Sequence, residues 1–593
     1  MKPPFHTLPH FLHYLESIGE LQRIRVEVDP VLEITEIARR SQLEGRPALF
    51  FERVKGSPYP LAINIFSSDR RIELALGKHP QQLGEELITF IEKIMPLKPI
   101  TLVKSRKMVG RFYKARPERI KKAPSQNIVE DPDLNQLPIL KCWPGDGGRF
   151  ITLPQVFTCD PRNGKRNVGM YRLHVFDKST TGIHWQIQKG GGFHYFQAEK
   201  LERPLEVAIA IGTDPAFVLA TIAALPEGID EVMFAGFLRN SRTRMTRAKT
   251  LSIDVPAEAE FILEGIVQPE ERRNEGPFGD HFGHYSAAAP FPVFHVKAVT
   301  HRENPIYAAT VVGKPPMEDK FLGDATQQIL GPLAKLLQPE VTDLWAYYEA
   351  GFHNLLVISV EQRYQKEAMK TALGLLGTQQ LALTKVAITV GEHINPRDFD
   401  AVLREIRRNF NPHSDFLMLP KVPLDTLDFT SYRMNLGSKM IIDATPKQRV
   451  PGRQPKLRIT SQKICGLDRR IIETVIKQDT LAVVKVKHEG NKIVDKLVRN
   501  PLCRELSIIA AVSEDVDIKS DVDILWGIFT RFDAARDVVF TSSKLVGIDP
   551  VHEGILGIDA TWKDGYPKPL TMSEKIMRRV DRRWNEYWIL GAK

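Results

Sequence analysis

The chain opens with apolar residues at helical spacing, Phe11, Leu12, Leu15, Ile18 and Leu21, which predicts a helix over about 9–19. The alternation of Ile24, Val26 and Val28 in LQRIRVEV then predicts a strand, and an amphipathic helix follows around Val31 to Arg40. Residues 1–115 therefore read as a small amino-terminal α+β lobe. The polar, proline-containing stretch KKAPSQNIVEDPDLNQLP, 121–138, reads as an irregular connection. From about 150 to 315 the pattern changes to short β-rich runs bounded by Gly, Pro, Asn or Asp: LPQVFTC, GMYRLHVF, PLEVAIAIG, FPVFHVKAVTH and PIYAATVV. Such runs predict a barrel or strongly bent sheet. One helix is expected to interrupt it, where Asp254 precedes Val255-Pro256 and AEAEFILEG. The apolar stretch Val207 to Leu225 is broken by Asp214-Pro215, which would be costly in lipid, so it reads as two buried strands joined by a turn.

Beyond residue 320 strand and helix patterns alternate: NLLVISV, EAMKTALGLLG, KVAITV, RDFDAVLREIRRNF. That alternation predicts an open α/β sheet. It also repeats. The segment beginning at Ala387 is echoed from Ile509, an offset of 122 positions at which Val390, Glu392, Phe410 and Asp415 recur as Val512, Glu514, Phe532 and Asp537. Asp400 does not recur in place, its counterpart being Val522. GSKMIIDAT, 437–445, returns as GILGIDAT, 554–561, with IDAT repeated literally.

Composition narrows the class. A chain of 593 residues with 42% hydrophobic and 26% charged residues is long enough for several folded domains and is not a disordered one. The start has no continuous apolar stretch of the signal-peptide kind, and the four cysteines, Cys142, Cys159, Cys465 and Cys503, show no CxxC pairing; buried thiols in a reduced, cytoplasmic compartment are expected. The formal charge of +10 raises nucleic acid as a partner, but the basic residues are spread along the chain without interleaved aromatics, so none is expected. A modest basic excess suits anionic carboxylates and a phosphate-bearing cofactor equally well.

The densest reactive cluster is NEGPFGDHFGHYS, 274–286, where Glu275 and Asp280 are separated by Gly276, Pro277 and Gly279 and followed by His281 and His284. Such a segment presents its acids from a tight loop, where mutual repulsion and burial can raise one pKa for proton transfer. A solvated surface turn is an equal reading on residue types alone. In NVGMYRLHV, 167–175, Arg172 alternates with Tyr171 on a strand, where a structural ion pair is the commoner role. Asn167, His184 and Glu231 are an amide, an imidazole and a carboxylate, a donor set suited to manganese or magnesium beside a phosphate, although a buried, hydrogen-bonded His184 is the simpler reading. KGGGF, 189–193, is a glycine-rich turn able to hold phosphate through backbone N–H groups, without a Walker or Rossmann pattern.

Six ordered motifs, NVGMYRL (167–173), PLEVAIAIGTDPA (204–216), DEVMFAGFLR (230–239), DVPAEAEFILEG (254–265), EGPFGDHFGHYS (275–286) and LGSKMIIDAT (436–445), closely resemble the UbiD family of carboxy-lyases. GELQRIRVEVDPVLEITEIARR, 19–40, resembles the family's opening. The resemblance implies an α+β multidomain fold: an amino-terminal lobe over 1–115, a central split β-barrel binding prenylated FMN over 116–318, an α/β domain over 319–450, and a duplicated α/β extension with a closing helix over 451–593. It implies a catalytic triad at Arg172, Glu275 and Asp280, and a divalent metal, manganese first with potassium a further candidate, at Asn167, His184 and Glu231. Cofactor contacts carry over to Met170, Tyr171, Arg172, His184, Trp185, Gln186, Lys189, Gly190 and Lys385.

The activity so implied is reversible non-oxidative decarboxylation of an aromatic or α,β-unsaturated acid. Asp280 is expected to be the proton donor, which requires it to be protonated in the closed site. The longer members resemble those of menaquinone biosynthesis, which makes a dihydroxynaphthoate-type acid the first substrate and a hydroxybenzoate in ubiquinone biosynthesis the second. A flavin prenyltransferase is implied as cofactor supplier and a homo-oligomer as the assembly. Two other classes compete: a flavin-dependent oxidoreductase on a split barrel, which would require a nicotinamide, and a noncatalytic assembly protein, indifferent to Arg172 or Asp280.

Overall fold

The computed structural model describes residues 3–94, 106–186, 189–225, 229–431, 433–447 and 457–588. The chain divides into two compact units, Met1–Leu330 with Lys568–Lys593, and Gly331–Pro567. The expected boundary at 450/451 falls outside the described residues.

The first unit holds a small sheet and a large one. The small sheet runs Leu21–Ile24, Ala48–Phe51, Leu61–Ile63, Tyr307–Ala308, flanked by the helices Leu8–Ser17 and Glu33–Leu43. The expected strand over Ile24 to Val28 ends at Ile24, and Val28 only bridges to Val54.

The large sheet has nine strands, in the order Arg149–Ile151, Leu173–Val175, Thr180–Ile183, Ala289–His301, Phe261–Glu275, Leu205–Ile211, Gln155–Cys159 and Arg166–Gly169, with Ile128–Glu130 paired to Ala289–His301. Its path does not close: Arg149–Ile151 and Arg166–Gly169 are the two edges of a curled half-barrel. The central pair, Phe261–Glu275 and Ala289–His301, shifts register after Glu264 and again after Val267. Such irregularities bend a sheet. At the first of them a Cβ on Gly265 would collide with His295 O, so only glycine fits.

Two segments depart from the sequence expectation. No helix forms over 254–265; the segment makes the strands Asp254–Pro256 and Phe261–Glu275. Phe261, Ile262 and Leu263 are buried between two neighbouring strands, and that packing outweighs the helix-forming composition of AEAEFILEG. Nor is 207–225 a pair of strands. Leu205–Ile211 is one, but Pro215–Ile222 is a helix, started by proline in its first turn and capped by Asp214, whose carboxylate accepts from Phe217 N at 3.2 Å. Every residue from Pro215 to Thr221 is buried, so the segment carries no amphipathic period to betray the helix.

The second unit contains two five-stranded sheets. One runs Val341–Ala346, Leu355–Val360, Val386–Gly391, Gly437–Asp443, Phe416–Val422; the other runs Ile471–Lys477, Leu481–Val486, Ile508–Val512, Asp549–Ala560, Val538–Val546. Each has an antiparallel pair at both ends and parallel pairings between. One apolar core joins them, with Ile388 and Ile442 of the first, Ile508 and Ile558 of the second, and side chains from the helices Phe399–Asn409 and Asp521–Phe529. The two IDAT segments adopt one hydrogen-bonded turn: Asp443 Oδ1 accepts from Thr445 Oγ1 at 2.5 Å, and Asp559 Oδ1 from Thr561 Oγ1 at 2.6 Å.

Candidate active site

Arg172 directly precedes the strand Leu173–Val175, and Glu275 ends the long strand Phe261–Glu275. The sheet therefore delivers both to one place. Arg172 Nε donates to Glu275 Oε1 at 2.8 Å and Nη2 to Oε2 at 3.1 Å, a bidentate pair. Its other terminal nitrogen, Nη1, bonds Asp280 Oδ2, and Nη2 also donates to Ser286 Oγ at 2.9 Å. The side chains are 8%, 0% and 10% exposed for Arg172, Glu275 and Asp280, which excludes the solvated surface turn. Phe278 lies under the guanidinium, 4.7 Å from ring centre to Arg172 Cζ.

Electrostatics in this buried cluster favour ionised acids. Burial alone would raise Glu275, but the charge of Arg172 and hydrogen bonds from His184 and Arg172 pull it down to about 2. Burial would raise Asp280 too; a hydrogen bond and charge from His281, with Arg172 behind them, outweigh it and hold Asp280 well below the usual carboxylate range. His281 donates its backbone N–H to Asp280 Oδ1 at 2.7 Å, and its ring Nδ1 lies 2.6 Å from the same oxygen. The sequence expectation of a protonated Asp280 concerns the closed site; here two cationic or cation-forming groups, Arg172 and His281, face it and favour its ionised form.

His184 Nδ1 lies 3.0 Å from Glu275 Oε2 and 3.1 Å from Arg172 Nη2. Both Nη2 hydrogens are spent on Glu275 and Ser286, so the network assigns the ring proton to Nδ1, donated to Glu275. Burial, then Arg172, lowers the His184 pKa, which favours the neutral ring. Its Nε2 is buried without a partner and carries a lone pair able to bind a cation.

A second group of expected residues surrounds the start of the helix Gly190–Lys200. KGGGF is thus the first turn of a helix rather than a free turn, with Lys189 as its N-cap; residues 187 and 188 lie outside the described ones. Tyr171 is buried and its hydroxyl accepts from Gly191 N at 3.3 Å. Trp185 is buried with its Nε1–H unpaired. A Cβ on Gly190 would collide with Asn167 Oδ1, and one on Gly191 would come 2.7 Å from Trp185 Nε1. Asn167 sits on the edge strand Arg166–Gly169 with Nδ2 buried and unpaired. Glu231 opens the helix Glu231–Arg239 and accepts from Val168 N at 3.2 Å, next door to Asn167. Burial pushes Glu231 up to about 7, against hydrogen bonds from backbone N–H groups and the charge of Arg166, which lower it only in part. Met170 and Gln186 are half-buried beside Tyr171 and Trp185.

The chemistry present fits a phosphate and a divalent cation: Asn167 Nδ2–H and Trp185 Nε1–H are unpaired donors suited to phosphate, His184 Nε2 is an unpaired lone pair suited to a cation, Glu231 is a buried carboxylate, and a Cβ on Gly190 would strike Asn167 Oδ1. Asn167 and Glu231 are brought side by side, whereas His184 is tied to Arg172 and Glu275; among the described residues no three His, Cys, Asp or Glu side chains form a metal-holding group. Lys385 belongs to the second unit, where it is fully buried, 2.9 Å from Asp428 Oδ2 and donating to Phe532 O at 2.9 Å. Its charge is answered there.

Sequence reasoning missed Ser286, His174 and Asp146. Ser286 lay within a quoted motif without a role; Asp146, in CWPGDGG, is an acid enclosed by glycines, a signal of a tight turn with a purpose.

Comparison with known proteins bears on this geometry. Models of the amino-terminal, Rift-related and carboxyl-terminal domains of 3-octaprenyl-4-hydroxybenzoate carboxy-lyase, UbiD, match residues 12–91, 118–315, and 320–444 with 477–560. A protein of Archaeoglobus fulgidus is 46% identical over 450 residues, 76% of this chain and 93% of its own length. A Chlamydia pneumoniae protein named as a subunit of 4-hydroxybenzoate decarboxylase is 35% identical over 589 residues, 98% of both chains. Among solved structures, the closed form of vanillic acid decarboxylase from Sedimentibacter hydroxybenzoicus superposes with a TM-score of 0.69 at 28% identity, covering 78% of this chain and 99% of that one. HmfF from Pelotomaculum thermopropionicum, a UbiD-class enzyme in complex with FMN, gives 0.63 at 30% identity, covering 77% and 97%.

Proposed function

This chain belongs to the UbiD family of carboxy-lyases, and we propose that it decarboxylates an aromatic or α,β-unsaturated acid with prenylated FMN held at the Gly190 helix start. The observation that carries this reading is a single guanidinium, Arg172, joined to two acids 103 and 108 positions away, all three buried. FMN and prenylated FMN are the ligands in the HmfF structures that this chain resembles.

When bound, the prenylated flavin supplies the electron sink that a carbon losing CO2 needs and that no side chain provides. The chain's own residues orient and protonate. Glu275 holds Arg172 by its Nε edge and leaves Nη1 facing Asp280. We assign Nη1 to the substrate carboxylate, which competes with Asp280 for it. With Arg172 taken by the substrate, burial still opposes the charged form of Asp280, and once His281 also yields its hydrogen bond Asp280 can hold the proton that it delivers to the carbon after CO2 leaves. Asn167, Glu231 and the bare Nε2 of His184 would hold the divalent metal, for which manganese is our choice, with potassium a further candidate. Tyr171, Trp185, Lys189 and Gly190 would meet the cofactor. Lys385 is left out of this set, since its ammonium is engaged by Asp428 and Phe532.

The two matching sheets of the second unit support a duplication, and we keep the four-part division at 1–115, 116–318, 319–450 and 451–593 as our reading. Among the described residues no helix is long and apolar enough to cross a membrane. We place the enzyme in the cytoplasm, in keeping with four free cysteines, and as a homo-oligomer, for which a dimeric HmfF is a precedent. A naphthoic acid of quinone biosynthesis is our first substrate and 4-hydroxybenzoate, named in a relative, the second. Expression with and without a flavin prenyltransferase, followed by cofactor mass and CO2 release from a panel of aromatic and naphthoic acids, tests the reading. Turnover that does not depend on the modified flavin would sink it.

A further inference from the structure

Residues 142–148, CWPGDGG, pack against Gly276–Gly279, the short segment that joins Glu275 to Asp280. Gly147 N donates to Pro277 O at 2.8 Å, and Gly279 N donates to Asp146 Oδ1 at 2.8 Å. Gly145 N donates to the Tyr285 hydroxyl at 3.0 Å, and Gly276 N to His174 Nδ1 at 3.3 Å. A Cβ on Gly147 would collide with Gly276 O, and one on Gly279 with the Trp143 ring, so the two glycine-rich segments are in backbone contact.

Asp146 sits at the centre of this contact. It is 4% exposed, and its second oxygen accepts from Trp143 N at 2.7 Å. One carboxylate thus ties the turn to itself and to the residue preceding Asp280. Its partners are backbone amides, and burial raises its pKa to about 6. Burying a carboxylate costs more than burying a neutral acceptor; what it adds is a strong, charge-assisted hold on Gly279 N. Beyond Gly279 the chain folds back at once, with Asp280 N donating to His284 O at 3.1 Å and Gly283 N to Asp280 O at 2.9 Å. The reach of the Asp280 side chain is therefore set by where Gly279 is pinned.

We propose that Asp146 is a positioning residue for the decarboxylation: by holding Gly279 N it fixes the distance over which Asp280 delivers its proton. The assignment rests on the decarboxylase reading above, and the experiment separates the two. Full-length enzyme loaded with prenylated FMN is compared with Asp146→Asn, Asp146→Ala and Asp280→Asn, measuring cofactor per chain, melting temperature, KM, kcat, and exchange of labelled CO2 into substrate. Asp146→Asn keeps the shape and loses one of the two acceptor sites. Its kcat is expected to fall at least about tenfold, and that of Asp146→Ala further, with KM and cofactor content unchanged. Exchange of CO2, which needs no protonation at carbon, should fall less than product formation. A kcat within about twofold of wild type in Asp146→Ala overturns the proposal. So does an Asp146→Asn enzyme that loses cofactor or folding in proportion to its activity, since the residue would then be only structural. A wild-type enzyme inactive on every acid, or an Asp280→Asn enzyme as active as wild type, would sink the decarboxylase reading itself.

Discussion

Arg172 meets Asp280 through Nη1 alone, because its Nε and Nη2 are both committed to Glu275. This division of one planar group between two acids makes the arginine irreplaceable by lysine. An ammonium has no fixed fork and can serve one carboxylate well, leaving the other buried without its charge. Arg172→Lys should lower kcat by at least about 100-fold while the chain still folds, as loss of an oriented charge in an enclosed site commonly does. Steady-state kinetics on the best acid of the panel, with circular dichroism as the folding control, decides it. Retention of a tenth of the activity would argue that the fork is structural.

Glu275 gives a prediction in pH. Its folded pKa, about 2, lies below the ordinary 4.5, so its ionised form is stabilised by folding. The resulting contribution is present in full above pH 4.5 and is lost as pH falls through the folded value. It is worth on the order of 3 kcal/mol. Glu275→Gln should therefore unfold at lower urea than wild type at pH 7, with the gap narrowing as pH is lowered from about 4.5 towards 2. A gap that stays constant across that range would place the stabilisation elsewhere.

Part of the candidate site is written in local sequence: Glu275 and Asp280 sit in one loop whose Gly and Pro content excludes helix. In the second unit, the matching IDAT segments mark two turns that hydrogen-bond alike. Asp146 was not legible, because its partner Gly279 is 133 positions away and a backbone amide leaves no side-chain signature. The helix Pro215–Ile222 escaped since burial on all sides erases period, and the strand Phe261–Glu275 was masked by helix formers that tertiary packing overrules. For Lys385, matched by motif, nothing in the sequence signals the partners the fold supplies, Asp428 Oδ2 and Phe532 O.

Gly190 offers a test of the cofactor site that leaves the acids untouched. Any side chain there would strike Asn167 Oδ1, at the place where amide, carboxylate and helix start converge. In an exposed helix start alanine would be mildly favourable, so a loss can be assigned to the collision. Gly190→Ala should reduce bound flavin at least about tenfold, equivalent to roughly 1.4 kcal/mol, with an unchanged far-ultraviolet spectrum. Flavin absorbance per chain after gel filtration measures it, and normal loading would remove this helix start from the cofactor site.

The closing helix, Glu574–Arg583, has its partner at the opposite end of the sequence. Glu33, wholly buried at the start of the helix Glu33–Leu43, accepts from Arg583 Nη1 at 2.6 Å, the Tyr587 hydroxyl at 2.8 Å and Asp29 N at 3.0 Å, and Arg579 Nη2 lies 2.9 Å away. The same returning segment reaches the loop that carries Asp280, where Leu570 N donates to Gly283 O at 2.9 Å and Pro569 bridges to His284. Glu33 and the loop are thus tied to one stretch of chain. Glu33→Ala removes the acceptor for two arginines that are 37% and 23% exposed and can partly rehydrate, so the loss should be roughly 2–4 kcal/mol, below that of a fully buried pair. Trypsin should then cut at Arg578, Arg579, Arg582 or Arg583 faster than in wild type. If the helix merely covers the lobe, kcat of the surviving enzyme stays the same; if it braces Gly283, kcat falls while KM holds. An unchanged urea midpoint together with unchanged trypsin cleavage would show that Glu33 does not hold the helix, leaving the Leu570 contact to act alone.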